Sequence, residues 1–154
     1  MNIILPITKH IKTPSNDFNK LFSINMQLTK NFNLKEFASK DGAVTPEPVI
    51  KNLQELSENL QVLRDFLGTS LHINSGYRSP AHNKKVGGAK FSQHIEGKAA
   101  DISSSKFTPD QIHAAILKLI GEGKMKQGGL GIYNSWVHYD TRGTEARWNL
   151  KTHK

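Results

Sequence analysis

The strongest structural signal in the sequence is an apolar stripe that follows Thr45-Pro46-Glu47. This tripeptide is typical of a helix start, because it supplies an N-cap, a proline at the first helical position and an acidic residue in the first turn. Apolar residues then recur at alternating spacings of four and three, which places them on one helical face. The stripe comprises Val49, Leu53, Leu56, Leu60, Leu63 and Leu67. The pattern predicts an amphipathic helix that ends at Gly68.

Weaker patterns predict short helices and strands in the rest of the chain. The predicted elements are helices at 33–41 and 109–120, and strands at 71–74, 128–133 and 136–140. Residues 83–92 are rich in Gly and Lys and are predicted to form a polar loop. Together these elements favour an α+β fold, with a small antiparallel sheet flanked by helices.

The length of 154 residues is that of a single domain. Residues 1–30 carry no sustained period and are predicted to form an irregular N-terminal arm, while residues 31–150 are predicted to form the domain. The short tail after Trp148 is expected to be frayed. We predict a monomer.

The charge balance indicates an anionic partner. Twenty-one Lys and Arg residues against thirteen Asp and Glu residues give a formal net charge of +8, which favours nucleic acid, a membrane surface or an anionic cell wall. The sequence has no helix-turn-helix, zinc-finger or aromatic RNA-binding signature, so a specific nucleic-acid partner is not predicted. No run of eighteen uncharged apolar residues is present, and the first residues do not resemble a signal peptide.

Cysteine is absent from the sequence, whereas histidine occurs seven times. A disulfide scaffold, an iron–sulfur site and a thiol nucleophile are therefore excluded. Imidazole is left as the side chain to examine for metal binding and for proton transfer.

His94 and Asp101 are seven residues apart in the sequence. Seven residues of α-helix would separate them by roughly 10.5 Å, whereas metal–ligand bonds are about 2.0 to 2.2 Å long. If both residues bind one ion, the chain between them must turn back, and Gly97 can supply the turn. His138, on a predicted strand, can bring a third ligand, and two imidazoles with one carboxylate suit zinc with a fourth position open for water. The alternative is a surface pair or a hydrogen-bonded core pair.

The segment Ser92-Gln93-His94-Ile95-Glu96-Gly97-Lys98-Ala99-Ala100-Asp101 matches an S-x-H-x-x-G-x-A-x-D signature. It resembles the zinc D-Ala-D-Ala carboxypeptidases and the related phage endolysins. Ser75-Gly76-Tyr77-Arg78-Ser79-Pro80 resembles the arginine-bearing segment of that family, and residues 136–143 resemble the strand of its third ligand. The resemblance extends from about Asn31 to Trp148 and implies a Hedgehog/DD-peptidase-like single domain.

The resemblance also implies roles for individual residues. It implies His94, Asp101 and His138 as zinc ligands and Arg78 as the group that holds the substrate carbonyl or carboxylate. Arg78 has an alternative role in a surface salt bridge or a turn contact.

The sequence departs from the family at the general base. Better-known members place an acidic residue three positions before the last histidine, where this chain has Ser135. Asp140 is the nearest substitute, because residues two apart on a strand face the same side. Its alternative roles are orientation of a ligand and pairing with Arg142. Glu96 is a weaker candidate for the base, and a substrate contact by His82 is an interpretation that we do not favour.

The resemblance predicts a zinc-dependent peptidase that hydrolyses peptide bonds in bacterial peptidoglycan, as a carboxypeptidase or an endolysin-like endopeptidase. Its partners are then the peptidoglycan stem peptides and the anionic wall surface. The missing acid favours the alternative, a wall-binding module of a phage structural or lysis protein with little or no catalysis. Because no signal peptide is recognised, we expect a phage-encoded protein that a holin releases or a virion carries to the wall.

Overall fold

A computed structural model describes residues 25–152 of the chain. Its helices are a 3-10 helix at Leu34–Phe37, α1 at Glu47–Leu67, α2 at Pro80–Lys85 and α3 at Pro109–Gly121. Its strands are β1 at His72–Ser75, β2 at Ala99–Ser103, β3 at Gly129–Ile132, β4 at Val137–Asp140 and β5 at Ala146–Asn149. None of the helices in this described part is long and apolar enough to cross a membrane.

The strands form one five-stranded sheet in the order β1-β2-β4-β3-β5. All neighbours pair antiparallel except β3 and β5, which are parallel. Helices α1 and α3 contact each other, and α3 also contacts the sheet, so the apolar core lies between helices and strands. The predicted α+β class with a mainly antiparallel sheet is confirmed.

Helix α1 is the predicted amphipathic helix, displaced by one residue at its start. Pro46 occupies the N-cap instead of Thr45. Five of the six stripe residues are buried, and Leu67 is partly buried against the core. Gly68 ends the helix in the left-handed conformation, with φ of 67°, which glycine adopts without steric cost. The stripe therefore packs the long helix onto the core.

Two predicted boundaries, one of a loop and one of a helix, are wrong. Part of the predicted loop at 83–92 belongs to α2, whose first turn is capped by the Ser79 hydroxyl accepting from the backbone N–H of His82. Six residues are too few to show a helical period, so sequence reasoning missed this helix. Helix α3 also extends one residue beyond its predicted end at 120, through Gly121.

The end of the described chain is ordered rather than frayed. Strand β5 pairs with β3, and beyond it the Leu150 N–H donates to the Ile132 carbonyl at 2.9 Å. The ring of Trp148 lies so close to Gly131 that a Cβ there would be 2.1 Å from it. The pairing is between segments distant in sequence, which local patterns do not reveal.

The predicted N-terminal arm falls mostly outside the described residues. Its described part packs on the domain, since Leu28 is buried and the Leu34 N–H donates to the Met26 carbonyl at 2.8 Å. The boundary between arm and domain at residue 31 stays a prediction.

Candidate metal centre

Strands β2 and β4 place Asp101 and His138 side by side. The two residues are direct partners in the antiparallel register of these neighbouring central strands. Their side chains therefore lie on the same face of the sheet. His138 Nδ1 is 3.3 Å from Asp101 Oδ1.

The turn segment before β2 brings His94 to the same point. Gly97 reverses the chain with φ of 72°, and a Cβ at this residue would lie 2.6 Å from Val49 Cγ1 on α1. Only glycine combines this conformation with so close an approach to a helix. The chain turns back between His94 and Asp101, as one metal ion binding both residues would require.

The three side chains offer three ligand atoms that converge. His94 Nε2 is 3.4 Å from Asp101 Oδ1, and all three ligand atoms lie within 4.8 Å of one another. Bonds of about 2.1 Å in a tetrahedral site place neighbouring ligand atoms about 3.4 Å apart. The two distances to Asp101 Oδ1, 3.4 and 3.3 Å, match those between neighbouring ligands of a tetrahedral metal ion.

The hydrogen bonds of the histidines leave the correct nitrogens available. His94 Nδ1 is 2.7 Å from the Gly76 carbonyl, which can only accept, so Nδ1 carries the proton. His94 Nε2 then presents a lone pair; it is buried and has no hydrogen-bond partner among residues 25–152. An unpartnered buried nitrogen costs free energy unless a ligand satisfies it.

Asp140 fixes the orientation of His138. Its Oδ2 lies 2.7 Å from His138 Nε2, so that nitrogen donates and Nδ1 is the ring nitrogen that faces Asp101. Arg142 donates to both carboxylate oxygens, at 2.8 and 2.7 Å, and the Gly129 N–H donates to Oδ1 at 2.9 Å. Asp140 is 0% exposed. Both oxygens of Asp140 therefore already accept hydrogen bonds, and they contact the ring nitrogen of His138 that is not the one beside Asp101.

The charged groups of the centre stabilise one another. Burial opposes ionisation of Asp101, but the His138 and His94 rings beside it outweigh this effect and hold the pKa of this carboxyl below its ordinary value. Burial likewise opposes ionisation of Asp140, and hydrogen bonds from Arg142 and His138 lower its pKa. Both carboxylates are anionic at neutral pH. The cluster thus has the negative charge that a divalent cation requires.

Arg78 lies beside the cluster and is held from several sides. Its Nη2 is 3.5 Å from Asp101 Oδ2, its Nη1 donates to Asn83 Oδ1 at 3.0 Å, and its Nε donates to Ser75 Oγ at 3.3 Å. Asn83 is 3% exposed and donates its own amide to the Ala89 carbonyl at 2.9 Å. A neutral amide thus fixes the guanidinium without cancelling its charge. Sequence analysis missed Asn83, whose distance of five residues from Arg78 matched no recognised signature.

The cluster opens into a cavity of about 810 Å³. Aromatic residues line one side: Tyr133 and Trp136 are stacked at 4.6 Å, and Trp148 lies 4.9 Å from the His138 ring. The cavity is lined by Lys40, Ser75, Arg78, His82, Val86, Gly87, Gly88, Ala89, Phe91, Ser92, Gln93, His94, Asp101, Tyr133, Trp136, His138, Arg142 and Trp148. All three predicted ligands and Arg78 therefore face one space that can admit a substrate.

The residues considered for the general base do not line this cavity. Ser135 is exposed in the turn between β3 and β4, and Asp140 is buried behind His138. Glu96 is exposed and pairs with Lys98 at 3.2 Å. Among residues 25–152, Asp101 is the one carboxylate that lines the cavity.

Three convergent protein ligands beside an open cavity are typical of a catalytic metal site, whereas structural zinc sites are closed by four. The site thus has the arrangement of a catalytic metal centre. A family model described as Peptidase M15 matches residues 26–140, which is most of the chain. The chain belongs to the Peptidase M15 family, and the predicted resemblance to the zinc D-Ala-D-Ala carboxypeptidases is confirmed at the level of this metallopeptidase family. A search of curated proteins found no match.

Proposed function

We propose that the protein is a zinc peptidase that hydrolyses peptide bonds in bacterial peptidoglycan. The observation that carries this proposal is the convergence of three ligand atoms within 4.8 Å of one another, in the same cavity as a fixed guanidinium. Two imidazoles and one carboxylate are a ligand set typical of catalytic zinc. Membership of a metallopeptidase family supports the reaction class.

His94, Asp101 and His138 would hold the zinc ion, which supplies a Lewis acid that activates water and polarises a carbonyl. Arg78 binds the oxygen of the scissile carbonyl and stabilises the negative charge that develops on it. A guanidinium held by Asn83 and Ser75 needs no reorganisation during the reaction.

Asp140 acts as a positioning residue in this proposal. Its carboxylate is fully buried, and both of its oxygens accept hydrogen bonds from fixed donors. It does not line the cavity, and its proposed role is to keep His138 in the tautomer that binds metal.

An Asp140→Asn variant is expected to bind zinc about 10- to 100-fold more weakly, because an amide no longer enforces this tautomer. Competition with a chromogenic chelator measures the affinity. Asp110→Asn is the matched control, since Asp110 is exposed and pairs with Lys151 away from the cavity. Unchanged zinc affinity together with lost activity would instead make Asp140 the general base.

The charge of the cavity supports an anionic substrate. Lys40, Arg78 and Arg142 line it, and the chain carries a formal net charge of +8. Peptidoglycan stem peptides carry carboxylates and lie in an anionic wall, so their negative charge complements the positive charge of the cavity. The proposal covers both a carboxypeptidase and an endopeptidase, acting as a monomer at the cell wall.

A second candidate function is a wall-binding module with little or no catalysis. The observation that favours it is the exposed Ser135 at the position of the family acid, with no carboxylate but the predicted ligand Asp101 lining the cavity within residues 25–152. Such a module would keep the metal and bind the same stem peptides.

The test combines metal content by plasma mass spectrometry with release of amino groups from purified peptidoglycan. We expect about one zinc per chain and amine release that chelation abolishes and added zinc restores. Mass spectrometry of the released fragments identifies the bond. Zinc retention and binding to peptidoglycan without cleavage of several wall types would favour the binding module, and absence of zinc would contradict both.

A further inference from the structure

The proposed reaction lacks an evident proton-transfer group. Hydrolysis of a peptide bond removes a proton from water and delivers one to the leaving amine. In the described part of the chain, the carboxylate that lines the cavity is Asp101, which is a metal ligand in the proposed function. The proton must therefore pass through a group other than a free carboxylate.

His82 lines the same cavity from helix α2. It lies in the first turn of this helix, where its N–H donates to Ser79 Oγ at 3.1 Å, and its side chain is half-buried. The imidazole makes no hydrogen bond or ion pair with any residue from 25 to 152. The backbone of His82 is fixed by its hydrogen bond to Ser79, whereas its ring nitrogens have no protein partner among these residues. The ring is therefore available to a substrate or a water molecule.

The other polar side chains around the cavity are less suited to this task. Arg78 and Arg142 are permanently protonated guanidinium groups. Tyr133 Oη already accepts from Trp148 Nε1 at 3.0 Å. An ammonium or a phenol ordinarily keeps its proton at neutral pH, whereas an imidazole exchanges it. His82 is thus the lining residue with the chemistry that the reaction needs.

The charged surroundings of His82 are mixed in sign. Asp41 interacts with it electrostatically from the segment before α1, and is itself bound to the Ser79 hydroxyl at 2.5 Å. Lys40 and Arg78 line the cavity beside it, and Lys84 and Lys85 lie on its own helix. The surroundings of the ring thus combine one anionic side chain with several cationic ones.

We propose that His82 is the general acid–base residue of this peptidase, an inference that rests on the proposed function. As the water oxygen bonds to the scissile carbon, His82 takes one water proton and the carbonyl oxygen becomes an oxyanion beside Arg78. His82 then gives the proton to the amide nitrogen, the carbon–nitrogen bond breaks, and the products are a carboxylic acid and an amine. Atoms and charges balance without a further reactant.

The test compares His82→Gln and His82→Ala with His72→Gln, a matched control because His72 is exposed on β1 and does not line the cavity. We expect kcat on a soluble muropeptide to fall about 10²- to 10⁴-fold in both His82 variants, with zinc content and thermal unfolding unchanged. The limb of the pH profile that reports the base should disappear, and added imidazole should partly restore His82→Ala.

A second readout does not depend on activity. In protein loaded with Co²⁺, the ring signals of His82 in NMR spectra should be shifted by the paramagnetic ion much more than those of His72. Wild-type kcat in the His82 variants, or a His82 ring without such a shift, would overturn the role of His82 and leave the peptidase proposal standing. Zinc-loaded wild type that cleaves no peptidoglycan would overturn the peptidase and, with it, the acid–base role.

Discussion

Replacement of His94 by alanine is expected to abolish zinc retention and peptidase activity. His94 Nε2 is a buried nitrogen that presents its lone pair to the cluster, with the ring held by the Gly76 carbonyl at 2.7 Å. Loss of a partner that merely orients a ligand already weakens metal binding about 10- to 100-fold, so loss of one ligand of three should exceed that. Plasma mass spectrometry after dialysis and amine release from peptidoglycan measure the two effects.

The fold should survive the change, which makes the result interpretable. The truncated ring removes an unsatisfied nitrogen from the interior but leaves a cavity, so unfolding by heat is expected to shift by a few degrees only. His113→Ala is the control, because His113 is a half-buried histidine on α3 that does not line the cavity. Full zinc content in His94→Ala with retained activity would show that the His-Asp-His cluster is not the metal site.

Much of the metal centre could be predicted from the local sequence. The spacing of His94 and Asp101 required a chain reversal, and Gly97 supplies it with φ of 72°. The pairing of Asp101 with His138 was different, because 37 positions of sequence separate them and only the β2–β4 register joins them. The predicted strands gave no register, so the resemblance to a family was needed to select His138.

Residues that support the site from distant segments could not be predicted. Trp148 reaches the His138 ring because β5 pairs in parallel with β3, a connection that no local pattern encodes. Asn83 lies in a helix of six residues, too short for a period to show. Asp140 was identified by its strand alternation with His138, but that alternation does not predict its burial or its hydrogen bonds with Arg142. Its two alternative roles were therefore left open by the sequence.

Hydrogen bonds and an ion pair connect the segment that contains Arg78 to the rest of the metal centre. Its backbone N–H donates to the His94 carbonyl at 3.0 Å, which ties the arginine segment to the turn that carries the first ligand. The side chain then extends to Asp101 and is held by Asn83. The order of landmarks along the sequence thus reflects hydrogen bonds that connect them in space.

Replacement of Arg78 by alanine is expected to lower kcat about 10²- to 10³-fold while zinc content stays at about one per chain. The expected loss is that of one donor that stabilises a developing oxyanion, about 2.7 to 4 kcal/mol. Zinc should remain because Arg78 contacts Asp101 Oδ2 at 3.5 Å, whereas the oxygen nearest to both histidines is Oδ1. Arg78→Lys should recover little, because an ammonium cannot reproduce the planar set of donors toward Asn83 and the substrate.

Steady-state kinetics on a muropeptide, with zinc measured in the same preparations, separate the possible roles of Arg78. Arg64→Ala is the control, since Arg64 lies on α1 and does not line the cavity. A rise in KM at constant kcat would mean that Arg78 binds the substrate carboxylate equally in the ground and transition states. A fall in kcat at constant KM would place its effect on the transition state. Loss of zinc in parallel with activity would contradict both, because Arg78 would then act by holding Asp101 in place for the metal.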